Sequence, residues 1–160
     1  MTEMNHLNKD GTVRMVDVGA KGETERRAVA IADVAMNVET IDRLFSGGLP
    51  KGDALATVRI AAIQATKRTP ELIPLCHPLQ LSGVDVTVDR TDSGAQISVE
   101  ARLTGRTGVE MEAMTGAAVG ALALYDMIKG IDRSACISSV RLVHKSGGKS
   151  GQWNREPVES

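Results

Sequence analysis

An α+β sandwich, with helices over one face of an antiparallel sheet, is the fold this 160-residue sequence predicts. Three observations predict it. Leu81–Val88 and Ala95–Leu103 alternate apolar and polar residues on either side of Thr91-Asp92-Ser93-Gly94, the mark of a hairpin. Gly108–Lys129 carries an uncharged run of Ala, Gly, Val and Leu between Glu112 and Asp126, which reads as one long helix with charged ends. Finally, the elements run strand, helix, hairpin, helix, strand.

The first dozen residues are polar and without periodicity, which predicts a mobile arm over about 1–12. Arg27–Met36, rich in Ala, Val and Ile, predicts the first strand. Glu39–Phe45 predicts a short helix stopped by Gly47 and Gly48. Asp53 is an N-cap for a helix to about Arg68, with apolar Leu55, Val58, Ala62 and Ala65. Its last turn carries Lys67 and Arg68, which suit the negative end of a helix dipole, and Pro70 follows. Cys136–Val143 predicts the final strand, and a polar tail follows from about 151. With no linker, repeat or low-complexity segment before that tail, residues 1–160 are expected to form one domain.

Composition narrows the function. Hydrophobic residues make up 42% of the chain but aromatics only 2%, namely Phe45, Tyr125 and Trp153. The core must use Ala, Val, Leu, Ile and Met, and small side chains favour close packing of elements. A formal net charge of -1 gives no general attraction to nucleic acid or an anionic membrane. Base-stacking aromatics are also scarce, so no nucleic-acid partner is expected. No apolar run reaches the length needed to span a bilayer, and the N-terminal residues do not look like a signal peptide. Cys76 and Cys136 form no metal-spaced pair. A reducing, cytoplasmic location is the expectation, with no membrane partner.

Two segments stand out chemically. In Leu72-Ile73-Pro74-Leu75-Cys76-His77-Pro78-Leu79 the flanking prolines restrict the backbone, so His77 is held in one orientation, as a binding or acid–base group requires. The plainer possibility is a stiff connector with a solvated histidine. Adjacent Cys76 and His77 without a second pair do not make a zinc site. Lys145-Ser146-Gly147-Gly148-Lys149-Ser150-Gly151 fails as a Walker A loop, because Val143 stands where that pattern needs glycine. Its glycines and lysines still suit a phosphate cradle, or else a solvated tail.

The blocks KGDALATVRIAAIQATKRTPELIPLCHPL, TGRTGVEMEAMTGAAVGALALYDMIKGID and VRLVHKSGGKSG, preceded by MVDVGAKGETERRAVA, together resemble the MoaC-type cyclic pyranopterin monophosphate synthases of molybdenum cofactor biosynthesis. The resemblance covers roughly Met15–Gly151. Its mild departures are Thr115-Gly116 and Gly120, where other side chains were expected, and His144.

The resemblance implies a ferredoxin-like protomer in a homohexamer built as a trimer of dimers. It implies a lyase that turns 3′,8-cyclised dihydro-GTP into cyclic pyranopterin monophosphate and releases pyrophosphate. By motif match, Asp126 and Lys129 correspond to the central acid–base pair, and Lys51, His77, Glu110 and Glu112 to further catalytic residues. Leu75, Cys76, Met111, His77 and Glu112 would contact the substrate, and Lys67, Lys145 and Lys149 would meet its triphosphate. No resident metal or cofactor is expected, since any Mg²⁺ would arrive with the substrate.

Helix length adds an expectation that needs no resemblance. Glu112 and Asp126 are fourteen positions apart, about 21 Å along a helix at 1.5 Å per residue. Both ends can serve one small substrate only if a second chain supplies one of them, as in an antiparallel pair about a two-fold axis. The rival reading is a non-catalytic α+β module sensing a phosphorylated ligand at a subunit interface. That module would need the cations but not Asp126, Glu110, Glu112 and His77 together.

Overall fold

The computed structural model describes residues 6–156, so the expected arm lies partly outside the described residues; within it, Leu7 and Val13 form an isolated antiparallel bridge. Strand β1 (Thr24–Ala35) buries Ala28, Ala30, Ala32 and Val34 on one face. Its alanines lower strand propensity but let a helix lie close above the sheet. Helix α1 (Val38–Ser46) ends at Gly47, whose φ of 78° lies in the left-handed region that glycine tolerates. Helix α2 (Ala54–Lys67) begins as expected at Asp53, whose carboxylate accepts the Ala56 N–H at 2.9 Å.

Pro70 does not stop the helical path. A short helix α3 (Thr69–Leu72) forms around it, because proline in a first turn removes an N–H that has no intrahelical acceptor. The hairpin follows as β2 (Gly83–Thr91) and β3 (Gly94–Gly105), with Thr91 opposite Gly94. A Cβ at Gly94 would fall 1.9 Å from the Val34 carbonyl oxygen, so only glycine fits where the hairpin crosses β1.

Helix α4 (Glu110–Ile128) is one continuous rod, and β4 (Cys136–Ser146) runs beyond the predicted end at Val143. The tail is not merely polar. Trp153–Asn154 adds a short β5 to the edge of β4, where Arg155 stacks over the Trp153 ring and donates to the Leu142 carbonyl at 2.6 Å.

The antiparallel sheet has the order β2-β3-β1-β4-β5. β1 reaches β2 by crossing over β3, and β3 reaches β4 through α4 by crossing over β1. This is the split βαβ pattern of a ferredoxin-like sandwich. Ile97, Val99 and Ala101 of β3 join the alanines of β1 beneath α4 and α2. Gly116 and Gly120 sit where α4 meets α2 and the sheet. A Cβ on Gly116 would lie 2.2 Å from the Thr66 hydroxyl, which is held by the Ala62 carbonyl at 2.9 Å. These departures from the expected side chains thus have a packing cause within the protomer. Elsewhere on α4, Met111 and Leu122 are exposed. Beyond α4, buried Asp132 accepts the Asn37 N–H at 2.8 Å and the Thr40 hydroxyl at 3.2 Å, tying the helix end to α1.

Candidate active site

The residues expected to act chemically fall into two groups at opposite ends of α4. At its C-terminal end, Asp126 lies between two lysines. Lys129 Nζ is 2.7 Å from one carboxylate oxygen, and Lys51 Nζ is 3.0 Å from the other while also donating to the Asp126 carbonyl at 2.6 Å. Hydrogen bonds from Lys129 and then Lys51 hold the Asp126 carboxyl below its usual range, and Asp126 in turn raises Lys129. The trio is exposed. Lys51 thus joins the Asp126 end rather than His77.

The N-terminal end of α4 borders a cavity of about 550 Å³ lined by Leu75, Cys76, His77, Glu110, Met111 and Glu112, among others. Glu112 is only 3% exposed, and its carboxyl is pushed up to about 7, chiefly by burial and further by the charge of Glu110. Burial, with a contribution from Glu112, also raises the Cys76 thiol. His77 Nε2 stands 2.7 Å from the Val16 carbonyl oxygen, a contact that requires the proton on that nitrogen.

A second chamber of about 490 Å³ continues from the first, sharing Lys21, Thr107, Gly108 and Glu110 with it. Five cations line this part: Lys21, Arg26, Arg106, Lys145 and Lys149. Lys145 reaches Glu110 at 3.3 Å and the Ser150 hydroxyl at 2.5 Å. The loop after β4 turns through Gly147 and Gly148 at φ of 95° and 73°, and a Cβ on Gly147 would meet the Glu25 carbonyl oxygen at 1.9 Å. An acidic chamber with one carboxyl near neutral pKa therefore opens into a cationic one. That combination can exchange protons with a ring system and hold a polyanion beside it.

Lys67 is placed elsewhere. It lines a separate depression with Ile63 and Gln80–Val84, because the last turn of α2 faces the start of β2. Only Leu79 is common to that depression and the acidic chamber.

The MoaC family model matches residues 15–148. This chain belongs to the MoaC family. Relatives named cyclic pyranopterin monophosphate synthase match it over almost its whole length. The Roseiflexus castenholzii protein is 56% identical, covering 95% of this chain and 98% of its own. That of Roseiflexus sp. strain RS-1 is 54% identical over 96% and 98%. That of Pelotomaculum thermopropionicum is 50% identical over 100% and 95%. Within this MoaC-family chain, sequence reasoning missed Lys21, Arg26 and Arg106 as members of the cleft. A signal was present, since each stands inside a block that carries the family resemblance.

Proposed function

We propose that this chain is a cyclic pyranopterin monophosphate synthase of molybdenum cofactor biosynthesis, converting 3′,8-cyclised dihydro-GTP with release of pyrophosphate. The observation that carries the reading is the similarity of nearly the whole chain to relatives bearing that name. The paired chambers support it.

The purine-derived rings occupy the acidic chamber, where Glu112, titrating near neutrality, can both give and take a proton. Glu110 stands beside it, and Leu75, Cys76 and Met111 contact the rings. Lys145 and Lys149, joined by Lys21, Arg26 and Arg106, receive the triphosphate. A ribose hydroxyl oxygen attacks the α-phosphorus and its proton passes to a neighbouring carboxylate; the bond from that phosphorus to the bridging oxygen breaks, and pyrophosphate leaves with the electron pair. The lysines and arginines offset the charge that gathers on the phosphate oxygens. Lys67 lies outside both chambers of its own protomer, and any Mg²⁺ enters as the counter-ion of the triphosphate.

Asp126, Lys129 and Lys51 complete the site from a second subunit. Pairing α4 antiparallel with its copy brings this trio to the partner's acidic chamber and covers the exposed Met111 and Leu122. The dimer is the unit of a homohexamer, and the protein works in the cytoplasm as a single-domain protomer.

The test is incubation with the cyclised dihydro-GTP, followed by mass analysis of the product and a pyrophosphate assay. The expected result is a product lighter by pyrophosphate, formed together with free pyrophosphate. Recovery of bound but unchanged nucleotide would instead identify a phosphorylated-ligand sensor.

A further inference from the structure

Residues 14–22 contain no helix or strand, yet Val16, Val18 and Lys21 line the acidic chamber. Several of the segment's hydrogen bonds are local, such as Gly19 N–H to Asp17 at 2.8 Å and Lys21 N–H to the Val18 carbonyl at 3.0 Å. Among the described residues, two side chains bond residues 15–22 to the rest of the fold. His77 donates from Nε2 to the Val16 carbonyl at 2.7 Å, and Arg106 donates to the Gly19 carbonyl at 3.1 Å. Both anchors also belong to the cleft, His77 in the acidic chamber and Arg106 in the cationic one.

We propose that His77 is a positioning residue: it latches the strap of residues 14–22 across the cleft and thereby sets Lys21 where the two chambers meet. This rests on the reading of that cleft as the substrate site. A carbonyl oxygen brings no proton, so the latch exists only while Nε2 carries one, and neutral and cationic imidazole both satisfy it. Using Nε2 as a base would release the strap in every cycle. Pro78 biases the preceding His77 backbone to an extended form, which keeps the ring aimed at the strap. Lys21 lines both chambers, so loosening the strap withdraws a cation from the junction between rings and phosphates.

The experiment compares His77→Phe with His77→Gln in the full chain. Glutamine offers an amide N–H at about the reach of Nε2 but cannot titrate. The first readout is limited trypsin digestion, because Arg14 and Lys21 flank the strap. His77→Phe should be cut at these sites about tenfold faster than wild type, with the remaining chain as resistant as before. The second readout is kinetic. His77→Phe should raise KM about tenfold with a much smaller change in kcat, and His77→Gln should recover most of that loss. Equal loss of kcat in both variants, with wild-type digestion of His77→Gln, would make His77 a proton carrier and overturn the latch. Wild-type digestion of His77→Phe would also overturn it. If wild-type protein leaves the cyclised nucleotide unchanged, the proposed function fails, and the digestion rates still decide the latch.

Discussion

The two ends of α4 carry the same kind of acid in opposite settings. Glu112 is buried beside another carboxylate and is driven up towards neutrality; Asp126 is exposed between two lysines and is driven down. One helix thus presents a carboxyl that can hold a proton near pH 7 and another that stays ionised while supporting a charged lysine. The cationic chamber lies at the Glu112 end, and the lysine–aspartate trio lies at the other. What the contrast teaches is that, on the proposed reading, the labour is divided between helix ends, and a rod about 28 Å long, at 1.5 Å per residue over its 19 residues, cannot fold them together.

Removing the exposed end should have the largest effect. Asp126→Asn and Lys129→Ala should each lower turnover on the order of 10²-fold or more, with folding and substrate binding nearly unchanged, because they alter proton transfer more than shape. Turnover near the wild-type rate in either variant would break the contrast. At the other end, converting Lys145 and Lys149 to Ala should weaken the triphosphate about tenfold or more while sparing a dephosphorylated analogue. The difference should narrow at high salt, as it does for charges near a surface. Equal weakening of both ligands would deny the loop its phosphate role.

A third effect, on stability alone, sharpens the comparison through pH. Folded Glu112 keeps its proton up to about 7, whereas an unfolded glutamate loses it near about 4.3. Between those values the folded state alone binds this proton, so stability falls as pH rises through that window and levels off above it. Glu112→Gln removes the titration. Between pH 5 and 8 wild type should lose about 2–3 kcal/mol at most relative to that variant in urea unfolding. Asp126 has the reverse sign: what its lysines contribute is lost as pH falls below the usual carboxylate range. A Glu112→Gln profile parallel to wild type would contradict the burial argument.

Much of the fold was legible because side-chain pattern and packing agree. The alternation of Val84, Val86 and Val88 reports a real hairpin, and Asp53 caps the helix it was expected to cap. The missed pieces are held by backbone pairing that leaves little trace in side chains. Thr24–Arg26 extend β1 opposite Leu103–Gly105 with mostly exposed side chains, and β5 is two residues long. Around Pro70 the same residue serves a helix start as well as a helix end. For the candidate site, motif blocks pointed to Asp126, Glu112 and Lys145. Lys21, Arg26 and Arg106 stand in the same blocks but drew no notice, because a cation in a polar stretch gains meaning only when the chain sets it beside others.

The sharing of one site by two chains is tested most directly by subunit mixing. Asp126→Asn and Glu112→Gln proteins, each inactive alone, are combined and allowed to exchange subunits. A mixed dimer then carries one doubly damaged site and one intact site, so random exchange should restore about a quarter of wild-type activity. Asp126→Asn mixed with Lys129→Ala is the control and should restore none, since both lesions lie at the same helix end. Continued inactivity of the first mixture, with subunit exchange demonstrated, would contradict the shared site.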